Sequence, residues 1–427
     1  MDKDEVKKER NKTIKDNMKK SNKLFDFFHN ISKNNKNLYN IKEVIIIMFF
    51  SLGIGFFTCF LIITIFNDGR SYFTINKDLN KFIDAYYTIV DNYYGEVDKD
   101  ELLNSAINAM VNSVGDNFTN YSDSETATSF LETVEGTYEG IGCTISKNEN
   151  GKTIIVEIAK NGPSEKAGLM INDIILEIDD IETKDKTVTE LSNYIKNKQE
   201  KNVSMKIIRN NEEMNIQVTK STIEIQSVTS NIIEKNNKKI GYLNISIFSS
   251  VTDSQFNSNL DYLQKNNVDG LIIDVRNNGG GYLSSVTNIA NRILKKDKII
   301  YQLKSDNKIE KKKDTTKECL DIPIAVLTNE GSASASEILA AAIKESYGGY
   351  VVGTNTYGKG TVQQTAYLSD GSMLKYTVQN WLTPNGTWIN DVGLEPTNFV
   401  ELSEEYIVNP IIENDNQLQT ALDILTK

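Results

Sequence analysis

Apolar residues follow three different patterns along this chain. Residues 44–66 form a run without any charged residue, which is long enough for a membrane-spanning helix. Apolar positions then recur every three or four residues between residues 71 and 136, and this spacing predicts amphipathic helices. From residue 239 onwards, short apolar runs alternate with helical patterns, which predicts parallel strands. The pattern therefore predicts an α/β multidomain protein with N-terminal helices and one transmembrane helix.

Individual elements follow from the same patterns. In the helical region the apolar positions are Leu79, Phe82, Tyr86, Ile89 and Val90 in the first helix and Leu102, Leu103, Ile107, Met110 and Val111 in the second. Gly115 is expected to end the second helix. Strands are predicted over residues 153–158, 240–248, 270–275, 324–327 and 350–353, and helices over residues 252–266, 283–294 and 337–345. The highly charged residues 304–317 predict an exposed loop.

The apolar run lies between a basic leader and an acidic remainder. As a helix it spans about 35 Å, which is enough to cross a hydrocarbon core of about 30 Å. A cleaved signal peptide is the main alternative, but its apolar stretch is usually only about 7–15 residues long. Residues 1–43 contain 12 Lys/Arg and 7 Asp/Glu, so the leader carries +5 and the rest of this −11 chain carries −16. Because basic segments stay in the cytoplasm, we expect a single-pass cell-membrane protein with its large acidic portion outside.

Composition excludes several kinds of chemistry. The 427 residues include one histidine, His29, which lies in the basic leader ahead of the apolar run and cannot reach a site beyond it. A Ser-His-Asp triad therefore cannot be built there, and a helical zinc site needs two histidines. The cysteines Cys59, Cys143 and Cys319 fall in separate predicted units and predict no disulfide framework. No Cys/His cluster has metal-ligand spacing, so we expect neither a metal nor another cofactor. The acidic remainder gives no indication of a nucleic-acid partner.

Residues 164–178, SEKAGLMINDIILEI, follow a predicted strand and a Gly-Pro turn. This string closely resembles the core of PDZ domains: a short helix that ends at glycine, an Asn-Asp turn and an apolar strand. The resemblance implies that Gly140, Ile141 and Gly142 form the loop whose backbone N–H groups bind the terminal carboxylate of a peptide, while the peptide adds to a neighbouring strand. A glycine-rich turn without a ligand is the alternative.

A candidate nucleophile lies in residues 331–337, GSASASE, between a predicted strand and a predicted helix. Ser334 would stand at the helix N-terminus among small residues that leave its hydroxyl accessible. Ser332 and Ser336 are alternatives, and helix capping is the ordinary role of serines in such a place. Without a histidine, a serine can still be activated by a desolvated lysine.

Such a lysine is available in residues 358–364, GKGTVQQ. Lys359 can remove the serine proton if burial lowers its pKa, because desolvation disfavours the ammonium form. Gln363 has a donor and an acceptor with which to orient that lysine. On a surface turn, Lys359 would instead stay protonated and could not act as a base.

Two predicted helix N-termini offer hydrogen-bond donors to a reacting carbonyl. Gly280 and Gly281, in the NNGGG turn, leave their backbone open to close approach, and the N–H of Ala335 follows the candidate serine. An oxyanion hole needs such donors, each contributing of order 3–4 kcal/mol. A flexible turn is the ordinary interpretation of three consecutive glycines.

The succession of NNGGG, SASASE and GKGTVQQ after a PDZ-like string resembles the carboxyl-terminal processing peptidases, also called tail-specific proteases. The resemblance runs from about residue 79 to about residue 401 and includes DGS, TPNG and GLEP strings after the lysine. The roles that it implies are nucleophile for Ser334, general base for Lys359, orienting residue for Gln363, and oxyanion donors for Gly280 or Gly281 with Ala335. One departure is Gly279, where family members often have proline, so the glycine turn is looser here.

The resemblance further implies a crotonase-like peptidase core with an inserted PDZ domain that gates substrate entry. It also implies oligomerisation through terminal helices, often as a dimer. The expected organisation is a basic leader (1–43), a transmembrane helix (44–66), a helical region (71–136), a PDZ domain (137–222), a serine peptidase core (223–405) and a C-terminal helical tail (406–427).

Three functions are consistent with these features. The leading hypothesis is a membrane-anchored serine endopeptidase that acts through an acyl-enzyme on extracytoplasmic proteins or peptides, recognised by their free C-terminal tails. A catalytically silent PDZ adaptor is the second, although it predicts damage at Ser334, Lys359 or Gln363 and none is seen. A crotonase-type acyl-transfer enzyme is the third, and the external location argues against it because thioester cofactors are cytosolic. Trypsin-like proteases with PDZ domains are excluded by the missing histidine.

Overall fold

The computed structural model describes residues 40–66, 77–306 and 308–427. The chain divides into two compact units, Met1–Lys99 and Asp100–Lys427. Nearly all of the predicted basic leader, including His29, lies outside the described residues.

Among the described residues, the first unit contains the helices α1 (Ile41–Phe66) and α2 (Lys77–Asn92). Helix α1 has 26 residues and is therefore about 39 Å long. Its large apolar side chains between Val44 and Phe57 are exposed. By length and composition alone, α1 is able to cross a membrane. Helix α2 has the amphipathic character that its apolar spacing predicts.

Two helices with a short strand between them begin the second unit. The elements are α3 (Lys99–Asn112), β1 (Asn120–Ser122) and α4 (Ser124–Glu135). Asp123 caps α4 by accepting a hydrogen bond from an N–H of its first turn, and Gly136 ends the helix in the left-handed conformation. A Cβ atom at Gly136 would lie 2.3 Å from the Ser249 hydroxyl oxygen, so only glycine fits where the end of α4 meets Ser249.

The PDZ-like string belongs to a small β unit. Its elements are β2 (Thr137–Gly140), β3 (Cys143–Lys147), β4 (Thr153–Ile158), α5 (Pro163–Lys166), β5 (Ile174–Ile178), β6 (Ile181–Glu182), α6 (Val188–Asn197), β7 (Asn202–Arg209), β8 (Glu212–Thr219) and β9 (Ser221–Glu224). The sheet order is β3-β4-β5-β7-β8, and β2 pairs separately with β9. Ile155, Ile175 and Met205 are fully buried in its own core. The predicted strand at residues 153–158 is confirmed as β4.

The remaining residues build the α/β core, where the sequence predicts a peptidase. Its elements are β10 (Val228–Lys235), β11 (Lys238–Ile245), α7 (Thr252–Lys265), β12 (Gly270–Asp274), α8 (Leu283–Ile293), β13 (Ile299–Ser305), β14 (Lys308–Lys313), β15 (Ile324–Thr328), α9 (Ala335–Ala342), β16 (Tyr350–Gly353), β17 (Thr361–Tyr367), β18 (Met373–Leu382), β19 (Asn398–Phe399), α10 (Glu404–Val408) and α11 (Asn416–Leu425). A π-helical turn, Ile343–Tyr347, extends α9, and a short 3-10 turn, Ile412–Asn414, precedes α11.

A six-stranded sheet in the order β10-β11-β12-β15-β16-β19 forms the centre of this core. Strands β11, β12, β15, β16 and β19 are parallel, as the alternating pattern predicts, and β10 adds an antiparallel edge. Every residue of β12 and β15 is buried because helices cover both faces. Helices α7, α8 and α9 cover one face, and α11 covers the other. The partly buried Arg276 bonds to Asp274 of β12 and to Asp415, which fastens α11 to the sheet.

A second sheet, β1-β18-β13-β14 with β17 on β18, lies beside the first. Residues 304–317 were expected to be a loop, and this prediction is wrong, because β13 and β14 form an antiparallel hairpin there. The reason is that β14 is an exposed edge strand whose lysines project from both faces. Its sequence therefore lacks the alternation of apolar and polar residues that predicts a strand.

Two predicted boundaries also need correction. Helix α9 begins at Ala335 rather than at residue 337, because a buried carboxylate caps it two residues earlier than the apolar pattern suggests. Strand β11 ends at Ile245 rather than at residue 248, since Phe248 pairs with Gly281 of the glycine turn instead of continuing the ladder.

Candidate active site

Three serines follow β15, and the structure separates their roles. The Ser332 hydroxyl is fully buried and donates to the Val275 carbonyl at 2.8 Å. The Ser336 hydroxyl is fully buried and donates to the Asn278 carbonyl at 2.8 Å. Ser334 is partly exposed and is the one of the three that lines a cavity. Ser332 and Ser336 therefore hold the turn together, and Ser334 is the serine that a substrate can reach.

Ser334 lies on a tight turn immediately before α9, with φ 55° and ψ −112°. A residue other than glycine in such a conformation stores strain of order 1–3 kcal/mol, which persists only where surrounding contacts enforce it. One such contact is Gly280, whose Cα is so close that an added Cβ would lie 2.8 Å from the Ser334 Cβ. The glycine turn and the serine turn thus pack directly against each other.

Glu337 connects the serine turn with the lysine turn. Its carboxylate is fully buried and accepts four hydrogen bonds: from the N–H groups of Ser334 (2.7 Å), Gly358 (2.7 Å) and Lys359 (2.9 Å) and from the hydroxyl of Thr356 (2.6 Å). Burial raises the pKa of Glu337, while these hydrogen bonds act in the opposite direction. A single side chain therefore sets the spacing between the two candidate catalytic residues.

Replacing Glu337 with glutamine is expected to lower kcat/KM by about 100-fold and to destabilise the core by about 1–3 kcal/mol. The amide NH₂ group would face backbone donors where the carboxylate oxygen accepts two hydrogen bonds, so the two turns would separate. Peptide cleavage and the midpoint of thermal unfolding measure the two effects. Glu330→Gln, an exposed change in the same loop, is the matched control. Near wild-type cleavage by Glu337→Gln would exclude this positioning role.

Lys359 is largely enclosed, as its predicted role requires. Burial and, to a smaller extent, the charge of Lys375 lower the pKa of Lys359 from 10.5 to about 8, against the opposing effects of Glu337 and Asp116. The Lys359 ammonium lies 4.9 Å from the centroid of the Phe118 ring. Its carbonyl accepts a hydrogen bond from the buried indole of Trp381 at 2.7 Å. This lowered pKa is in the direction that a general base requires.

Gln363 bonds to threonines in this conformation, not to Lys359. Its amide NH₂ donates to the hydroxyls of Thr361 at 2.8 Å and Thr377 at 3.3 Å. Thr377 in turn donates to the Asp116 carboxylate at 2.6 Å. The loop after α3 is therefore connected to Gln363, and hydrogen bonds hold the pKa of Asp116 below its usual range despite the opposing effect of burial.

Ser334, Lys359 and Gln363 line one cavity of about 730 Å³, together with Gly280, Gly281 and Ala335. Within the described residues, no hydrogen bond joins the Ser334 hydroxyl to the Lys359 ammonium. The remaining wall is largely apolar and includes Phe130, Leu131, Val134, Ile338 and Trp381. The structure therefore brings all six residues predicted for the catalytic centre to one concave surface, with the lysine turned towards Phe118.

The two glycines predicted for the oxyanion hole differ in what their amides contact. The Gly280 N–H donates to the side-chain oxygen of buried Asn278 at 2.9 Å, so it is occupied in this conformation. No hydrogen bond among the described residues uses the N–H groups of Gly281 or Ala335. Gly281 has φ 144°, and a Cβ there would lie 2.2 Å from the Phe248 carbonyl oxygen, so glycine is required at this position.

The predicted carboxylate-binding loop follows β2 and leads into β3. The carbonyl of buried Ile141 accepts hydrogen bonds from the N–H of Ser164 at 2.9 Å and from its hydroxyl at 2.6 Å. Gly142 adopts φ 73°, in the left-handed region. Among the described strands, β3 pairs only with β4, so its other edge is open next to this loop. An open edge beside a glycine-containing loop has the geometry to add a peptide strand.

Several residues of this site were not predicted from the sequence. Glu337 stands three positions after Ser334, a spacing that reads as an ordinary helix capping box. Phe118, Asp116 and Lys375 carry no local signal, because they are distant in sequence from the catalytic motifs. As for metals, the described residues contain no group of three or more His, Cys, Asp or Glu side chains arranged to hold an ion.

Comparison with known proteins identifies the family. The model of peptidase family S41 matches residues 239–400, a PDZ domain model matches residues 140–219, and the model described as the N-terminal domain of the activating protease CtpB matches residues 65–126. These three matches follow one another along most of the chain.

Full-length relatives agree with these matches. The carboxy-terminal processing protease CtpB of Bacillus subtilis is 37% identical over 339 residues, which cover 79% of this chain and 70% of that protein. The carboxy-terminal processing protease CtpA of the same organism is 34% identical and covers 82% of this chain and 75% of its own length. A probable CtpA-like serine protease of Staphylococcus aureus is 32% identical, with coverage of 79% and 68%. The chain therefore belongs to the carboxy-terminal processing serine proteases of peptidase family S41 and carries a PDZ domain.

Proposed function

We propose that this protein is a membrane-anchored endopeptidase that cleaves extracytoplasmic proteins recognised by their C-terminal tails, with Ser334 as nucleophile and Lys359 as general base. The observation that carries this proposal is that a strained, accessible serine shares a cavity with a lysine whose pKa is lowered to about 8. A lysine with that pKa is neutral in a useful fraction of molecules near neutral pH, so it can accept the serine proton.

The chemical steps follow the usual order of acyl transfer. The Ser334 oxygen attacks the scissile carbonyl carbon while its proton passes to the Lys359 nitrogen. Collapse of the tetrahedral intermediate breaks the C–N bond, and the leaving amine takes the proton from Lys359. Water then attacks the acyl-enzyme with Lys359 again as base, which releases the new carboxyl terminus and restores the serine.

Two adjustments of the described conformation are part of this proposal. The Lys359 side chain turns from Phe118 towards Ser334, and the Gln363 amide turns from its threonine partners to orient the lysine. For the oxyanion, the N–H groups of Gly281 and Ala335 are the proposed donors, since the Gly280 N–H is already bonded to Asn278. Gly280 contributes by allowing the close approach of the two turns.

We further propose that the PDZ unit binds substrate tails, with the backbone of Gly140, Ile141 and Gly142 around the terminal carboxylate. A peptide with a free apolar C-terminus is expected to bind and to be cleaved at least about tenfold better than its amidated twin, because the amide loses the charge-assisted hydrogen bonds of the loop. Fluorescence polarisation and cleavage rates of full-length protein in detergent measure this. Equal binding of both peptides would exclude tail recognition.

Helix α1 is the proposed membrane anchor, with the N-terminus in the cytoplasm. This rests on its length, its exposed apolar side chains and the excess of basic residues before it. A protease added to intact cells is therefore expected to degrade both the PDZ unit and the peptidase core, while a cytoplasmic marker protein stays intact. Full protection of the core in cells with an accessible surface would contradict this orientation.

The same proposal includes the fold of the core, the domain boundaries and the oligomeric state. A central sheet with five adjacent parallel strands between helices supports a crotonase-like core over residues 223–405, with a PDZ domain over residues 137–222 inserted after the helical region 71–136. We also propose a homodimer through terminal helices. A catalytically silent adaptor is disfavoured, because the candidate nucleophile and base share one cavity and the base has a suitable pKa.

A further inference from the structure

A second lysine, Lys375, lines the cavity that holds Ser334 and Lys359. Lys375 lies on β18 directly opposite Thr365 of the neighbouring strand β17. Two residues later on β18, Thr377 lies directly opposite Gln363 of β17. Directly opposed residues of an antiparallel pair project from the same face, so Lys375 and Gln363 are diagonal neighbours about 7–8 Å apart. Lys375 thus stands close to the reaction centre without belonging to the proposed dyad.

The surroundings of Lys375 provide no counter-charge. Its ammonium lies 5.3 Å from the centroid of the Phe130 ring on α4, and burial lowers the pKa of Lys375. Among the described residues, the Lys375 ammonium forms neither a salt bridge nor a hydrogen bond. The carboxylates that face Lys359 are already occupied, since Asp116 accepts from Thr119 and Thr377, and Glu337 accepts its four hydrogen bonds.

An unpaired, half-buried ammonium in an apolar cavity is unfavourable, because desolvation is not offset by a partner. Such groups concentrate at functional sites, where a ligand supplies the missing charge. The partner that matches an ammonium best is a carboxylate, through a charge-assisted hydrogen bond. The substrate is the component that enters this cavity, so the substrate is the natural source of that carboxylate.

We propose that Lys375 binds a carboxylate of the substrate close to the scissile bond, so that the active site itself selects for an acidic group. This inference rests on the proposed function of the cavity. Because an extended chain rises about 3.3 Å per residue and Lys375 lines the same cavity as Ser334, we expect the acidic group within about three residues of the cleaved bond. The carboxylate belongs either to an Asp or Glu side chain or to the C-terminus of a substrate that ends there.

Two peptide series distinguish the sources. In the first, amidated peptides of one sequence carry a single Glu or its neutral isostere Gln at each of the three positions on either side of the cleaved bond. Amidation removes any contribution from tail binding by the PDZ unit. In the second, peptides end one, two or three residues after the cleaved bond, with a free or an amidated terminus. The measured quantity is the ratio of kcat/KM for the charged peptide to that for its neutral twin.

Full-length protein in detergent is expected to prefer the charged peptide by about 10- to 100-fold at one position of one series. Lys375→Met should abolish that preference, and Lys375→Arg should keep most of it because the charge remains. Lys304→Met, an exposed change on the neighbouring strand β13, is the matched control and should leave the ratio unchanged. Since both peptides of a pair use the same base, any change in the pKa of Lys359 cancels in the ratio.

The outcome that overturns the inference is a wild-type enzyme that cleaves these peptides with no charge preference, or a preference that persists in Lys375→Met. If the wild-type protein cleaves none of these peptides, that result would instead count against the proposed function. In that case, equilibrium binding of each peptide pair to Ser334→Ala and to Ser334→Ala/Lys375→Met still decides whether Lys375 binds carboxylates. Equal binding of charged and neutral peptides to the Ser334→Ala chain would end the proposal.

Discussion

Ser334→Ala is expected to abolish peptide cleavage, with a loss of about 10⁴- to 10⁶-fold in kcat, while tail binding and folding stay intact. The physical reason is that alanine removes the attacking oxygen but leaves the backbone of the turn unchanged. Cleavage of a fluorogenic peptide measures the loss, and fluorescence polarisation of a labelled tail peptide measures binding. The midpoint of thermal unfolding should stay near that of the wild type.

The neighbouring serines provide the controls. Ser336→Ala removes the hydrogen bond to the Asn278 carbonyl, and Ser332→Ala removes the one to the Val275 carbonyl and the one accepted from the Asn329 N–H. We expect each change to lower stability by about 1–2 kcal/mol and to retain measurable cleavage. Undiminished turnover by purified Ser334→Ala would overturn the assignment of the nucleophile. Loss of cleavage in Ser336→Ala alone, with full activity in Ser334→Ala, would transfer the role to Ser336.

Cleavage is expected to rise with pH through about 8, because the neutral amine of Lys359 is the competent species and the pKa of Lys359 is lowered to about 8. The sign follows from the base role: below this pKa most molecules carry the inactive ammonium, so kcat/KM falls about tenfold per pH unit. Above it, the rate reaches a plateau. A profile of kcat/KM against pH from 6 to 9.5 measures the apparent pKa of the free enzyme.

Substitutions of Lys359 separate a base from a fixed charge. Lys359→Arg is expected to be as inactive as Lys359→Ala, because a guanidinium with a pKa above about 12 cannot accept the serine proton. Gln363→Ala should lower activity less completely, since glutamine orients the base without accepting the proton. Lys344→Arg, on the turn after α9, is a matched control whose ammonium only bonds to the Glu395 carbonyl. Substantial cleavage by Lys359→Arg would show that Lys359 acts as a charge alone.

In the described conformation, the candidate nucleophile and the candidate base are not bonded to each other. Lys359 lies beside Phe118, and Gln363 is held by Thr361 and Thr377, so the serine and lysine sit in one cavity without being bonded to each other. Glu337 accepts hydrogen bonds from the backbone N–H groups of both residues and so ties the two turns together. Apo active sites commonly show such long or misaligned catalytic contacts.

The sequence by itself determined most of the architecture and the candidate dyad. Periodicity located α1, the amphipathic helices and the parallel strands, because each pattern reflects which faces are buried. The absence of histidine beyond residue 29 removed the common triads, and the glycine, serine and lysine motifs were specific enough together to indicate the family. The base role required a lowered pKa for Lys359, and the burial of Lys359 in the structure supplies the cause.

Only the tertiary structure decided which parts of those motifs are used. It showed that Ser332 and Ser336 are buried and bonded to backbone carbonyls of the other strand-turn-helix unit. It also showed that the Gly280 amide is occupied by Asn278, whose own side-chain amide donates to the Ile245 carbonyl. Phe118 reaches Lys359 from a segment more than two hundred residues earlier. Burial and electrostatics depend on separation in space, whereas local sequence patterns record only separation along the chain, so the cavity, its second lysine and the Glu337 connection could not be read from the motifs alone.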